Sequence, residues 1–206
     1  MMPPDYRKAI QKTKAEFWNV RDEYKSYDLD ELRMHCKRDS FPFSVCALNV
    51  EGDLNIGMMA RTASIMGAQN FYIFGRRKID NRSLVGADKY MNIEHITGLT
   101  TTGFDYDEFY LQMIHTRKLY PIIIEQGGVP LHQADWHYYV ADHRFGDVAP
   151  ETCLVFGNEG TGVPDSLRNG KFTVLSIPQR GVLRSLNVAA TASIVMWDMK
   201  TKLGWI

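Results

Sequence analysis

Short, unbroken apolar runs alternate along this chain with stretches whose apolar residues recur every three or four positions. The first run, Phe43-Ser44-Val45-Cys46-Ala47-Leu48-Asn49-Val50, predicts a buried strand. Beyond Glu51-Gly52-Asp53-Leu54-Asn55, the residues Ile56, Met59, Ala60, Ala63 and Met66 fall at helical spacing, and Gly67 supplies a stop. Phe71-Tyr72-Ile73-Phe74 predicts a second strand, ending at Gly75. A helix is expected from Asp105 to Lys118, a strand at Pro121-Ile122-Ile123-Ile124, and a weaker strand at Trp136-His137-Tyr138-Tyr139-Val140. Two further strands, Cys153-Leu154-Val155-Phe156 and Phe172-Thr173-Val174-Leu175-Ser176-Ile177, each empty directly into a loop. A helix from Ser185 onward is apolar nearly all round, which predicts burial on most sides, either within one subunit or against a partner helix. Strands without strict alternation, separated by helices, predict an α/β fold: a mostly parallel sheet with helices on both faces.

Composition adds boundaries. A chain of 206 residues, 45% hydrophobic, suits one globular domain with a short appendage. Residues 5–38 are rich in charge and tyrosine, so 1–40 is assigned as a helical N-terminal extension and 41–206 as the main domain. Asp28-Leu29-Asp30-Glu31 has the form of a capped helix start with acids in its first turn. Arg7, Lys8, Lys12 and Lys14 give the arm positive charge, which fits a solvated or dimer-bracing helix as well as an RNA-guiding one. Lys+Arg 24 balances Asp+Glu 24, so no global field points to nucleic acid or membrane. Three cysteines, Cys36, Cys46 and Cys153, form no C-x-x-C pair and fit reduced thiols. The start of the chain shows no apolar signal core, and no run of about 18 uncharged apolar residues occurs. A cytoplasmic protein without membrane contact is expected.

The loops after the last two strands hold the candidate chemistry. Gly157-Asn158-Glu159-Gly160-Thr161-Gly162 places three glycines around an acid, a loop that loses much entropy on ordering and so points to a ligand. It is not G-x-G-x-x-G, and Val163-Pro164 stands where a P-loop needs Lys-Ser/Thr, so both nucleotide cradles fail. Glu159 either binds a cation or hydrogen-bond donors or caps a turn. His132, His137 and His143 are spaced by five and six, which no helix or strand face brings together, so no metal is expected.

Three motifs in order carry a resemblance: Asn55-Ile56-Gly57-Met58-Met59-Ala60-Arg61-Thr62-Ala63; then Leu154-Val155-Phe156-Gly157-Asn158-Glu159-Gly160; then Ile177-Pro178, Gly181 and Ser185-Leu186-Asn187-Val188-Ala189. Over residues 43–203 the chain resembles the SpoU/TrmH-type RNA ribose 2′-O-methyltransferases of the SPOUT superfamily. Gln179, where the family usually has methionine, and Ala189-Ala190, in place of Ser-Val, are departures that remove no proposed catalytic group. The resemblance implies a C-terminal deep trefoil knot, an exception to the rule against knotted chains. It also implies S-adenosyl-L-methionine as cofactor, tRNA or rRNA as substrate, and a homodimer with each site built from both subunits.

By the same resemblance Arg61, Asn55, Glu159, Ser185 and Asn187 are the catalytic candidates. A guanidinium stays protonated, so Arg61 is expected to clamp the phosphate and stabilise the alkoxide rather than act as a base. Asn55 positions Arg61, contacts RNA or caps the helix; Ser185 is also a good N-cap. Glu159 is expected to hold Arg61 or a substrate group. Phe156, Gly157, Gly160, Ile177, Leu186 and Asn187 are expected at the cofactor. Arg76, Arg77, Lys78, Arg82 and Lys89 cluster in a loop-like segment and form the expected RNA-backbone patch, with a solvated basic loop as the alternative. Two rivals remain: a non-catalytic knotted RNA-binding protein, and an RNA base methyltransferase from another SPOUT branch.

Overall fold

Six parallel strands form the frame. A computed structural model describes residues 19–48, 50–75, 79–100, 103–141 and 150–206. In chain order the strands are β1 (Phe41–Leu48), β2 (Ala68–Phe74), β3 (Asn92–Ile96), β4 (Leu99–Thr100), β5 (Gly103–Phe104), β6 (Leu119–Pro130), β7 (Glu151–Phe156) and β8 (Thr173–Ser176). The main sheet runs β3-β2-β1-β7-β6-β8, every pairing parallel, while β4 and β5 make a small antiparallel ribbon.

Both faces of the sheet are covered, which is why β1 and β7 read as continuous apolar runs. One face buries Phe43, Val45, Ala47, Leu154 and Phe156 under α2 (Asp53–Ile65) and α7 (Val188–Leu203), which pack against each other. The other buries Cys46, Leu48, Tyr72, Phe74, Cys153 and Val155 under Phe109, Met113 and Leu167. Each large side chain fully buried in these layers stabilises the fold by about 1.5–3 kcal/mol relative to exposure. Cys46 and Cys153 are buried free thiols, and burial pushes the Cys46 thiol up to about 12.

Before β1, α1 (Leu29–Arg38) begins as expected: Asp28 accepts from the Asp30 and Glu31 N–H groups, and Glu31 reaches back to the Asp28 N–H. Arg7, Lys8, Lys12 and Lys14 lie outside the described residues. A short α3 (Asn81–Leu84) follows β2, and Ser83 packs closely against Gly57 of α2.

Four sequence readings are corrected. The helix expected at Asp105–Lys118 is α4 (Tyr106–Tyr110) running into a π-helical turn, Leu111–Thr116. The weak strand expected at Trp136–Val140 is a helix, α5 (Trp136–Ala141). Its aromatic and β-branched composition imitates a strand, but Asp135 accepts from the Tyr138 N–H and buried Trp136 donates to Asp198 on α7 at 2.7 Å. α2 starts at Asp53 with Gly52 as its cap, so Asn55 lies inside the first turn and is not the cap. α7 starts at Val188 rather than Ser185, because Asn187 takes the cap position. The short α6 (Asp165–Arg168) joins β7 to β8.

Candidate active site

The loops that leave β7 and β8 meet an interruption within β6 at Glu125–Gln126, on the side of the parallel sheet where its strands end and ligands bind. The loop after β7 closes on itself. Asn158 and Gly162 exchange backbone hydrogen bonds at 3.2 and 2.8 Å, and the buried Asn158 carboxamide oxygen accepts from the Gly160 and Thr161 N–H groups at 2.8 and 2.9 Å. Gly162 takes φ +71, and a Cβ there would lie 2.4 Å from the Glu125 carboxylate. Once the ring is closed, the Glu159 side chain projects towards α2.

Glu159 accepts three hydrogen bonds there: from the Glu51 N–H at 2.8 Å, the Gly52 N–H at 3.2 Å and Asn55 Nδ2 at 2.8 Å. Gly52 is the cap of α2 and Glu51 the residue before it, so the carboxylate sits at the positive end of the helix. Burial pushes the carboxyl up, but the bonds from Asn55, Glu51, its own N–H and Gly52 outweigh it and hold Glu159 below its usual range. Asn55 in turn accepts from Asn187 Nδ2 at 3.1 Å, and the Asn187 oxygen caps α7 through the Ala189 and Ala190 N–H groups at 2.9 and 3.2 Å. Glu159, Asn55 and Asn187 therefore connect all three sequence motifs in one series of side-chain bonds.

In that series Glu159 grips the start of α2 and, among the described residues, makes no bond to Arg61 of the same chain. Arg61 is exposed on α2, and among the described residues its side chain has no hydrogen bond or ion pair. It does not line the neighbouring cleft. The cleft, of about 260 Å³, takes in Phe156, Gly157, Gly160, Ile177 and Leu186, five of the six residues expected at a cofactor. The sixth, Asn187, turns instead to Asn55. Ser185 also lines the cleft and caps no helix.

Sequence reasoning did not single out Glu125, Gln126, Thr161, Arg168, Arg184 and Thr191 as site residues, and these also line the cleft. The signal for the first two was present: Glu125-Gln126-Gly127-Gly128 follows Ile122-Ile123-Ile124 as the acid-and-glycine loop follows β7.

The basic patch is only partly placed. Arg76, Arg77 and Lys78 lie outside the described residues. Arg82 is not an idle cation: its guanidinium grips Asp80 through Nε at 3.0 Å and Nη2 at 2.6 Å, and this contact lowers the Asp80 carboxyl. Lys89 sits in the 3₁₀ turn Ala87–Lys89, whose Lys89 carbonyl accepts from Arg33 Nε at 2.9 Å. Among the described residues no cluster of three His, Cys, Asp or Glu side chains could hold a metal ion; His143 lies outside them. No described helix is long and apolar enough to cross a membrane.

Known proteins share this architecture. The A. aeolicus TrmH/SpoU tRNA modifying enzyme superposes with a TM-score of 0.64 at 21% identity, covering 86% of this chain and 83% of that one. The SpoU methyltransferase AviRb from Streptomyces viridochromogenes, solved with the cofactor AdoMet, gives 0.58 at 20% identity, covering 80% and 58%. At such identities the likeness speaks for the fold. In sequence, the chain is 24% identical over 158 residues to the Mus musculus tRNA (guanosine(18)-2′-O)-methyltransferase TARBP1, covering 75% of this chain but 9% of that protein. It is 26% identical over 177 residues to the Shewanella oneidensis 23S rRNA (guanosine-2′-O-)-methyltransferase RlmB, covering 84% of this chain and 63% of that protein. The profile of the SpoU rRNA methylase family matches residues 42–197, which contain the cleft and all three bonded motifs, and the chain belongs to that family.

Proposed function

We propose that this chain is an S-adenosylmethionine-dependent RNA methyltransferase that methylates a ribose 2′-hydroxyl in tRNA or rRNA. The observation that carries the reading is the bonded series Glu159–Asn55–Asn187, which holds three motifs together beside one cleft. Family membership and the names of the similar proteins, which act on tRNA and rRNA, support it.

The cleft suits the cofactor chemically. Ile124, Phe156, Ile177 and Leu186 offer an apolar wall for a purine, while Ser185 and Arg184 offer polar groups for the ribose and the charged amino-acid end. When bound, S-adenosylmethionine supplies an activated methyl on a sulfonium leaving group. The protein must then orient the hydroxyl and stabilise the oxyanion that develops. Arg61 is assigned to that oxygen and its phosphate as a fixed cation. Glu159 is assigned as a positioning group, since a carboxylate already accepting three donors and held in its ionised form is a poor base.

A homodimer belongs to the same reading. Leu54, Met58 and Ile65 leave 56%, 51% and 70% of their surface exposed on α2, and Ile194 and Trp197 leave 43% and 57% exposed on adjacent α7. Positions 54, 58, 61 and 65 recur at helical spacing, so Arg61 lies within the apolar stripe of α2. In this reading a second copy covers that stripe, and Arg61 is assigned to the partner's cleft. Residues 41–206 form the proposed catalytic domain, with the SPOUT trefoil knot in its C-terminal part; 1–40 form an extension. A cytoplasmic location and an RNA-backbone patch at Arg76, Arg77, Lys78, Arg82 and Lys89 complete the proposal.

The test is incubation with methyl-labelled S-adenosylmethionine and separate tRNA and rRNA fractions. Label in one RNA fraction supports the reading. Cofactor binding without transfer to any RNA would favour a non-catalytic RNA-binding protein.

A further inference from the structure

β6 is interrupted at the mouth of the cleft. It pairs with β8 through Ile122, Ile123 and Ile124, then again through Val129 and Pro130, with Leu175 opposite both Ile124 and Val129. Residues Glu125–Gly128 are thus extruded with no matching advance on β8, as in a large bulge of the special class. The bulge is anchored: Ser176 Oγ donates to the Gly128 carbonyl at 2.8 Å, and a Cβ on Gly128 would lie 2.4 Å from the Val174 carbonyl oxygen.

Its two polar side chains reach opposite loops. Glu125 Oε2 accepts from the Val163 N–H at 2.8 Å, at the return leg of the loop after β7, while Oε1 accepts from the Gln126 N–H at 2.8 Å. Gln126 Nε2 donates to the Arg184 carbonyl at 2.9 Å, in the loop after β8. Residues 178–187 of that second loop are exposed throughout. Both Glu125 and Gln126 also line the cleft.

We propose that Glu125 and Gln126 are positioning residues that latch the two cofactor loops to the sheet before the cofactor arrives. The inference rests on reading the cleft as the S-adenosylmethionine pocket. Loops ordered in advance do not have to be ordered at binding, so the latch acts on affinity rather than on the methyl-transfer step. Glu125 carries the stronger arm, because a carboxylate between two N–H donors forms charge-assisted bonds. Gln126 contributes one neutral bond at an exposed site.

The test uses the full chain with Glu125→Ala, Glu125→Gln and Gln126→Ala, read by S-adenosylmethionine titration, by steady-state transfer to bulk tRNA and rRNA, and by amide exchange without cofactor. Glu125→Ala should weaken cofactor binding about tenfold, with KM for the cofactor rising in parallel and kcat at saturation unchanged. Glu125→Gln should fall between it and the unsubstituted protein, because one carboxamide oxygen still accepts; it also serves if Glu125→Ala does not fold. Gln126→Ala should weaken binding less than Glu125→Ala. Exchange should quicken at Val163, whose N–H Glu125 accepts, in the Glu125 variants. Unchanged affinity and unchanged exchange in a folded Glu125→Gln or Glu125→Ala protein would overturn the latch, as would a fall in kcat with KM unmoved. If the unsubstituted protein binds no S-adenosylmethionine, the enzyme reading fails, and the exchange data still decide whether the latch exists.

Discussion

Asn187 Nδ2 donates to Asn55 Oδ1 at 3.1 Å, and this one bond joins the cap of the last helix to the first turn of α2 across 132 positions of sequence. Asn55 passes the connection to Glu159 at 2.8 Å. An asparagine suits the middle position because its carboxamide donates with one end and accepts with the other. Asn55→Ala should therefore cost about 1–2 kcal/mol, since it leaves two partners short at a part-exposed site. Asn55→Asp should cost more, because it sets a second carboxylate against Glu159. Urea unfolding of the two variants measures both values, and equal or smaller loss in Asn55→Asp contradicts the assigned geometry.

The two carboxyls at opposite ends of β7 should respond to acid with opposite signs. Glu159 is held below the usual 4.5, so its contribution is present above that pH and is lost as pH falls through its folded value. Glu151 is raised above 4.5 chiefly by burial, against hydrogen bonds from Ser44 and Asn70. Its folded form binds the proton more tightly, so its contribution is greatest below 4.5 and is lost as pH rises through the folded value. Glu151→Gln, which keeps an acceptor for Ser44 Oγ, should raise stability at neutral pH and remove that loss; Glu159→Gln should flatten the acid limb. Thermal melts from about pH 3 to 8 separate the two effects.

Gly162→Ala should weaken the cofactor pocket at a single point. A Cβ at φ +71 strains the backbone by about 1–3 kcal/mol and collides with Glu125 at 2.4 Å. Cofactor titration should show lower affinity for the variant, and affinity equal to the original would mean that the loop tolerates a different shape.

Arg61→Ala should abolish methyl transfer while leaving cofactor affinity nearly unchanged, because Arg61 does not line the cleft of its own chain and is assigned to the reacting oxygen and phosphate rather than to the cofactor. It should alter stability by no more than about 0.5 kcal/mol, since the side chain is exposed and unbonded among the described residues. Full transfer by this variant would remove Arg61 from the mechanism.

Trp197→Lys should convert the proposed dimer to a monomer, because it places a charge in the exposed apolar surface shared by α7 and α2. Sedimentation should report the change, with transfer falling together with assembly. A dimer that persists unchanged would place the interface elsewhere.

Much of this was legible in the residues themselves. Strands buried on both faces leave a strong signature, and Val45, Leu154 and Ile123 announced theirs. The loop after β7 was legible because glycines around an acid are costly without a purpose. Side-chain direction was not legible. Nothing in the spacing of Glu159 and Asn55, 104 positions apart, says that the first grips the helix start carrying the second. The helix at Trp136 was masked by aromatic composition, and its deciding bond to Asp198 comes from 62 positions away. The acid-and-glycine run Glu125–Gly128 was visible in the sequence, but its place as a bulge inside β6 was not, because β8 supplies that register.

The most direct measurement of the central claim is alkaline digestion of RNA methylated by the purified protein with labelled S-adenosylmethionine. A ribose 2′-O-methyl group blocks cleavage of the neighbouring linkage, so label should appear in an alkali-resistant dinucleotide. Label released wholly in mononucleotides would place the methyl on a base and contradict it.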